Sequence, residues 1–376
     1  MDFAFSEEQE AFRETLRRFL AEKSPIAEVR RWMETPEGYN PALWKQMAAE
    51  LGLQGLHLPE HVGGQGFGFL ELGIVFEEMG RVLLCAPYFS TVGLAAGAIL
   101  NAGSDEQQRA LLPAIASGEC IATLALVEDG GDTAPDSIAL EARRDGDGFR
   151  LSGTKRPVTD GHCADLLVVA ARLEGTRGDD GITLLTLNAD TEGVTRTPLE
   201  SLDLTRRQAR LEFDGARAEA LGEPGGAGPA LRRTLDQAAV LLAAESVGGA
   251  DRCLADAVAY ALQRVQFARP IGGFQAIKHK CAEVLLEVES ARAAARWAAW
   301  VAEADPPGLA AAASIAKAVC GDAYLRAASE SIQIHGGIGF TWEADPHLYL
   351  KRAKTNEILL GDPVHHRARL MRELAI

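Results

Sequence analysis

The hydrophobic pattern of the chain changes twice, near residues 116 and 226, and these changes limit the folds open to it. Apolar residues recur at helical spacing over residues 1–115. Over residues 116–225, short apolar or alternating runs are separated by Gly, Asp and Asn, which predicts antiparallel β-structure. The pattern is helical again over residues 226–376. We therefore predict an α+β multidomain protein with an N-terminal helical domain, a middle antiparallel β-domain and a C-terminal four-helix bundle, divided at those positions.

Local signals support this division. Ser6 and Gln9 have the spacing of a capping box at the start of the first helix. Gly52 is a predicted helix stop. The run RDGDGF in the middle region predicts a β-hairpin turn. Pro229 suits the first turn of a long helix that we extend as far as Phe267.

The bulk composition excludes several classes of protein. The formal net charge is −15, whereas a nucleic-acid-binding protein usually has a basic face. The six cysteines form no C-x-x-C pair, which predicts free thiols in the cytoplasm and neither a disulfide framework nor a zinc site. The first 22 residues have no signal-peptide pattern, and no apolar run is long enough to span a bilayer. We expect no metal, no nucleic-acid partner and no membrane association.

One carboxylate stands out in the run LAAESVGGADRC, residues 242–253. Glu245 lies within a long apolar helical pattern, and a buried carboxylate must be neutralised, paired or used because removing a charge from water is costly. Apolar neighbours raise the pKa of such a group towards the range of a general base. Glu245 is therefore a candidate catalytic base.

Two C-terminal motifs resemble a known family. RVQFARPIGGFQAIKHK and, about 55 residues later, ASESIQIHGGIGFTWEADPHLYLKRAK are similar to the C-terminal domain of acyl-CoA dehydrogenases. The N-terminal FSEEQEAFRETLRRFL and the central DGDGFRLSGTKRPVTDGHCADLLVVAAR match the same family in order. HGGIGFTWE and the GDPVHHR segment resemble bacterial members for bulky substrates, such as steroid side-chain acyl-CoA thioesters.

This resemblance implies a fold, a cofactor and a reaction. It implies FAD bound at a subunit interface of a tetramer, either a homotetramer or a two-plus-two heterotetramer. The implied reaction of lipid metabolism is α,β-dehydrogenation of an acyl-CoA thioester, in which a carboxylate removes the α-proton and the β-hydrogen passes as hydride to flavin N5. Reduced flavin then passes its electrons to an electron-transfer flavoprotein.

The resemblance also assigns cofactor contacts one residue at a time. It implies that Thr159 lies near flavin N5, within the segment LSGTKRPVTDG. The other implied FAD contacts are Arg264, Phe267, Gln275, Gln333, Gly336 and Gly337. Arg264 and Phe267 would contact the FAD of the neighbouring subunit, with Arg264 on the pyrophosphate. Gln333 and the two glycines, whose backbone N–H groups are accessible, would line the ADP moiety.

The chain departs from the family at the catalytic base. Most members carry a glutamate in a segment that here reads Leu359-Leu360-Gly361-Asp362, so Leu360 replaces it. A minority carry the base at a position that aligns with Ala238. Glu245 follows Ala238 by two helical turns, offset by about 20° and displaced by about 10 Å along the helix axis. We therefore predict that Glu245 removes the α-proton.

Other interpretations remain open at this point. Glu245 could pair with a basic residue across the bundle or lie at an oligomer interface. Asp236, Glu357 and Asp362 are further carboxylates near the two empty positions. The chain could be a noncatalytic subunit that completes the FAD site of another chain in a heterotetramer, or it could use oxygen as acyl-CoA oxidases do.

Overall fold

The computed structural model describes residues 5–374, and these form two compact units. The first unit comprises Gly68–Leu84 and the described parts of Met1–Arg31 and Ala239–Ile376. The second unit comprises Trp32–Phe67 and Cys85–Ala238.

Helices make up most of the first unit and flank the sheet of the second. In chain order the described α-helices are α1 (Glu7–Lys23), α2 (Ile26–Met33), α3 (Pro41–Leu51), α4 (Phe69–Arg81), α5 (Gly97–Ala102), α6 (Asp105–Ala116), α7 (Gly228–Gln263), α8 (Gln275–Ala304), α9 (Leu309–His335), α10 (Pro346–Ile358) and α11 (Pro363–Glu373). A π-helical segment, Phe89–Ala96, precedes α5. None of these helices combines the length and the apolar character that a bilayer crossing requires.

The second unit contains a seven-stranded sheet. Its strands are β1 (Ala122–Ala125), β2 (Glu141–Asp145), β3 (Gly148–Thr159), β4 (Leu166–Leu173), β5 (Ile182–Asn188), β6 (Val194–Pro198) and β7 (Gln208–Leu221). Strands pair in the order β4-β2-β3-β7-β5, and β5 pairs with β4 again, so these five strands form a closed ring. Strands β8 (Val265–Gln266) and β9 (Arg269–Pro270) form a small ribbon in the first unit.

The sheet confirms the predicted hairpin and corrects the predicted strand direction. Strands β2 and β3 are antiparallel, with Asp145 opposite Gly148 across a two-residue turn whose Gly146 has φ +64°. However, β4 pairs in parallel with both β1 and β2, so the sheet is mixed rather than purely antiparallel. The β2–β3 hairpin lies between β1 and β4 in the chain, and this long connection allows the parallel pairing.

The predicted helix boundaries are largely confirmed. The Ser6 hydroxyl accepts the Gln9 backbone N–H at 3.2 Å, and the Ser6 N–H donates to the Gln9 side chain at 3.0 Å, which completes the capping box. Gly52 ends α3 in the left-handed conformation, with φ +60°. Helix α7 ends at Gln263 rather than Phe267. Phe267 and Ala268 both have positive φ, which an α-helix cannot include.

Alanine dominates the core between the bundle helices. The buried cluster includes Ala239 and Ala243 of α7, Ala291 and Ala295 of α8, and Ala312 and Ala316 of α9, together with a few larger residues. Small side chains let helix axes approach closely, so packing depends on the shape of the backbone surfaces.

Helix α4 crosses α7 at two glycines. A Cβ added to Gly80 would lie 2.1 Å from the carbonyl oxygen of Glu245. A Cβ added to Gly248 would lie 1.7 Å from the carbonyl oxygen of Glu77. Since Cβ atoms do not approach oxygens this closely, the crossing requires glycine at both positions.

Buried carboxylates on α4 connect three helices of the same unit. Glu77 and Glu78 both accept from Arg13 of α1 at 2.8 Å, and Glu78 also accepts from Arg17 at 2.6 Å. Arg292 of α8 donates to Glu77 as well. Each buried carboxylate is thus neutralised by more than one guanidinium group, which satisfies the charge that burial makes costly.

The turn between α10 and α11 has a strained backbone. Leu360 has φ +61°, and its carbonyl oxygen lies 3.0 Å from Nε2 of His366, a histidine of which only 1 % is exposed. Burial lowers the pKa of His366 to about 3. The imidazole is therefore neutral in the folded protein. It takes up a proton when the chain unfolds in acid.

The lowered pKa of His366 predicts that the folded protein loses stability in acid. Because the unfolded chain binds a proton to His366 below pH 6.5 and the folded chain does not, stability should fall as the pH decreases from 6.5 towards 3. The slope from this group approaches about 1.4 kcal/mol per pH unit. Urea unfolding at pH 7.5 and 5.0 should show a smaller pH effect for His366→Gln than for wild type. Equal pH effects would contradict the assignment.

Candidate active site

Glu245 is buried and forms an ion pair. Only 3 % of the residue is exposed, and its Oε1 accepts from a terminal guanidinium nitrogen of Arg352 on α10 at 2.8 Å. The side-chain amide of Asn356 donates to the same oxygen at 3.3 Å, and to the hydroxyl of Ser246 at 3.4 Å. The carboxylate therefore lies in a fully buried polar cluster formed by α7 and α10.

A buried guanidinium and an amide donor both contact the carboxylate, and partners of this kind offset the cost of burying a negative charge. An ionised carboxylate can accept a proton, as a base must. The same contacts also match the pairing across the bundle that the sequence left open. Removing either partner of such a buried pair costs about 3–5 kcal/mol.

The sequence also carries a signal for the two α10 partners. Arg352 and Asn356 follow Leu348 at intervals of four residues, which places all three on one face of α10. Leu348 is buried, so the two polar residues on its face are expected to be buried as well. Polar residues in register with a buried face are candidates for an internal cluster.

The three other carboxylates have different surroundings. Asp236 lies in the second unit and is buried. Glu357 pairs with Lys354 at 2.5 Å. Asp362 is exposed and caps α11 by accepting the backbone N–H of His365 at 2.7 Å, a bond that lowers the pKa of its carboxyl group. Glu357 and Asp362 therefore have surface or capping contacts rather than a buried polar setting.

A cleft of about 480 Å³ lies where α7 ends and α9 ends. It is lined by Tyr260, Arg264, Gln266, Ile271, Ile334, His335, Gly336, Gly337 and Ile338. Tyr260 and His335 stack in its wall with ring centroids 4.3 Å apart. His335, the last residue of α9, is thus part of the cleft wall.

The residues of this cleft fit the dinucleotide that the resemblance implies. Gly336 has φ +67°, and a Cβ added to it or to Gly337 would meet no atom within 4 Å, so a ligand can reach their backbone. Arg264 supplies a positive charge beside them, and the stacked rings supply an apolar wall. The Gly336 N–H caps α9 by donating to the Ile332 carbonyl, so the charge of Arg264 and the unobstructed backbone of the two glycines are what suit the cleft to a pyrophosphate.

The remaining predicted cofactor residues of the first unit are exposed. They are Phe267, Gln275 and Gln333, and none of them is among the residues that line the cleft. Phe267 is 87 % exposed, although its ring lies edge-on to Phe274 at 6.0 Å. The structure therefore brings Arg264, Gly336 and Gly337 together in one cleft. Phe267, Gln275 and Gln333 lie at the surface, outside the lining of that cleft.

Thr159 belongs to the second unit, where it ends β3. Its hydroxyl lies 3.2 Å from the side-chain oxygen of Gln208, and its carbonyl oxygen accepts from Thr123 at 2.6 Å. Lys155 of the same strand is buried, donating to Glu128 at 2.6 Å and to the carbonyl oxygen of Leu126 at 2.8 Å. Burial lowers the pKa of Lys155 to about 8.

The described residues contain no group of three or more His, Cys, Asp or Glu that could hold a metal ion.

Comparisons with known proteins cover nearly the whole chain. Family models match residues 6–119 as the acyl-CoA dehydrogenase N-terminal domain, 123–216 as its middle domain and 226–375 as its C-terminal domain. The acyl-CoA dehydrogenase IpdE2 of Mycobacterium tuberculosis is 34% identical over 95% of this chain and 94% of its own length.

Solved structures show the same similarity. The butyryl-CoA dehydrogenase of Megasphaera elsdenii superposes with a TM-score of 0.92 at 28% identity, over 100% of both chains. A chain of the ChsE4-ChsE5 complex from Mycobacterium tuberculosis superposes with a TM-score of 0.90 at 28% identity, over 100% of this chain and 99% of that one.

Proposed function

Since the chain belongs to the acyl-CoA dehydrogenase family and catalyses the FAD-dependent dehydrogenation of an acyl-CoA thioester, we propose that Glu245 removes the α-proton of the substrate. The observation that carries this proposal is a carboxylate, 3 % exposed and paired with Arg352, on the first long helix of the C-terminal region. FAD, when bound, would supply the acceptor for the β-hydrogen as hydride.

Other residues of this chain bind the cofactor. Arg264 and the backbone of Gly336 and Gly337 bind the ADP half of FAD, with Phe267, Gln275 and Gln333 as further contacts at the same end of the bundle. We place Thr159 beside the flavin ring. The domain boundaries that go with this division are 1–115, 116–225 and 226–376.

We further propose a bulky acyl group, such as a steroid side chain, as the substrate class. The support is the motif HGGIGFTWE together with GDPVHHR. The protein is an oligomer, and we propose a homotetramer or a two-plus-two heterotetramer that passes electrons to an electron-transfer flavoprotein in the cytoplasm.

Purification tests the proposal directly. We expect a yellow homotetramer whose flavin absorbance decreases when octanoyl-CoA or cholyl-CoA is added without oxygen. A reduced protein that then releases peroxide in air at a catalytic rate would indicate an oxidase and contradict the proposed electron acceptor.

A second candidate function is favoured by two observations. Leu360 occupies the position of the usual base, and Glu245 is already paired with Arg352. Both fit a subunit that completes the FAD site of a different chain. One of the similar solved structures is likewise a complex of two different proteins, ChsE4 and ChsE5. A colourless or insoluble lone chain that becomes yellow and active only with a second, different subunit would favour this function over the first.

A further inference from the structure

A buried lysine holds the end of α10. Lys317 of α9 is 1 % exposed, and its Nζ donates to the backbone carbonyls of Asn356 at 2.7 Å, Glu357 at 3.1 Å and Gly361 at 3.0 Å. The ammonium thus satisfies the last carbonyls of α10, where the helix dipole is negative, and bonds the following turn as well.

The cost of burying this charge calls for an explanation. Burial lowers the pKa of Lys317 to about 8, which shows that the surroundings disfavour its charged form. An apolar side chain would avoid that cost, whereas only a donor can fix three carbonyls at once. The contacts therefore serve to hold the α10–α11 turn.

The turn needs such a restraint. Leu360 and Gly361 have φ values of +61° and +99°. A leucine in this conformation is strained, and strained residues persist only where the surrounding structure fixes them. Lys317 on one side and His366, whose Nε2 lies 3.0 Å from the Leu360 carbonyl oxygen, on the other fix this turn.

Asn356 links Lys317 to the Glu245 carboxylate. The carbonyl of Asn356 accepts from Lys317, and the side chain of the same residue donates to Glu245 Oε1 at 3.3 Å. We propose that Lys317 is a positioning residue for Glu245, acting through Asn356. This inference rests on the proposed role of Glu245 as the base.

A double-mutant cycle tests whether Lys317 acts on Glu245 through Asn356. We compare wild type, Lys317→Met, Asn356→Leu and the double variant as FAD-loaded assemblies, measuring the rate of flavin reduction by octanoyl-CoA or cholyl-CoA between pH 6 and 7.5, where Lys317 is charged. Each single variant should be slower by about 10- to 100-fold, because small misplacements at a reacting centre have effects of this size. The double variant should be no slower than Asn356→Leu, because both changes interrupt one route.

A pH profile and a structural readout accompany the rates. Loss of the Asn356 hydrogen bond should move the acidic limb of the rate profile to higher pH, since that bond favours the ionised carboxylate. In Lys317→Met, backbone amides of residues 356–366 should exchange hydrogen faster than in wild type. Lys354→Met removes an exposed lysine from the same helix and is the matched control, for which we expect wild-type rates and exchange.

The outcomes separate this inference from the proposed function. Additive effects of the two substitutions, or a wild-type pH profile in Lys317→Met, would overturn the inference. If Glu245→Gln reduces its flavin at the wild-type rate, the base assignment fails, and the inference fails with it. If Lys317→Met does not fold, Lys317→Gln replaces it in the cycle, and slowing by Lys317→Gln that persists in the presence of Asn356→Leu would overturn the inference in the same way.

Discussion

Glu245→Gln should slow flavin reduction by acyl-CoA by about 100-fold or more, because general acid–base catalysis contributes on that scale. The amide cannot accept the α-proton, yet its oxygen can still accept from Arg352 at the site where the carboxylate does now. The neutral amide nevertheless leaves the buried charge of Arg352 uncompensated, so the loss of stability should approach the roughly 3–5 kcal/mol that breaking a buried pair costs. Anaerobic stopped-flow absorbance measures the rate, and thermal unfolding measures the stability.

Glu357→Gln is the matched control for this variant. Glu357 lies on α10 near the same turn, but it pairs with Lys354 at the surface, so we expect less than a twofold change in rate. A slow Glu357→Gln with a fast Glu245→Gln would move the base to Glu357. A fast, flavin-loaded but less stable Glu245→Gln would show that the buried pair has a structural role alone.

Gly248→Ala should prevent stable folding of the first unit. The new Cβ would lie 1.7 Å from the Glu77 carbonyl oxygen and 3.0 Å from the Arg81 nitrogen, both backbone atoms of α4. Helix α4 would have to move away, and overpacking of this kind costs about 3 kcal/mol or more. Because Glu77 also anchors Arg13 and Arg292, the same movement would disturb the ion pairs of α1 and α8.

Gly321→Ala is the corresponding control. Gly321 is also helical and lies within the same unit, but its added Cβ would meet only Pro363 Cγ at 3.6 Å, an ordinary contact. Alanine is the better helix former, so this variant should be as stable as wild type or more stable by up to about 1 kcal/mol. Expression level and the thermal midpoint of both variants check the prediction, and equal midpoints would contradict it.

The sequence was informative wherever a local rule determined the structure. The Ser6–Gln9 capping box, the Gly52 stop and the RDGDGF hairpin each depend on contacts between near neighbours in the chain, and all three are present. The parallel pairing of β4 with β1 and β2 depends on long connections, about which the periodicity of a single strand says nothing.

The candidate site was predictable only as far as local sequence patterns determine it. The apolar pattern around Glu245 indicated burial, and the residue is buried. Its partners, Arg352 and Asn356, lie more than 100 positions away in sequence. Their spacing indicates a shared face of α10, but only the packing of α10 on α7 shows that this face meets Glu245. Lys317 reads as an ordinary helix lysine, because its three acceptors are backbone atoms, which carry no sequence signature.

The alanine core of the bundle limits how this enzyme can be redesigned. Pocket-widening libraries usually shorten large residues, but between α7, α8 and α9 the side chains are already methyl groups at Ala243, Ala295 and Ala316. Only glycine remains as a smaller choice, and it weakens helices by roughly 0.5–1 kcal/mol per site. The bundle interior therefore offers no large side chain to shorten at these three positions.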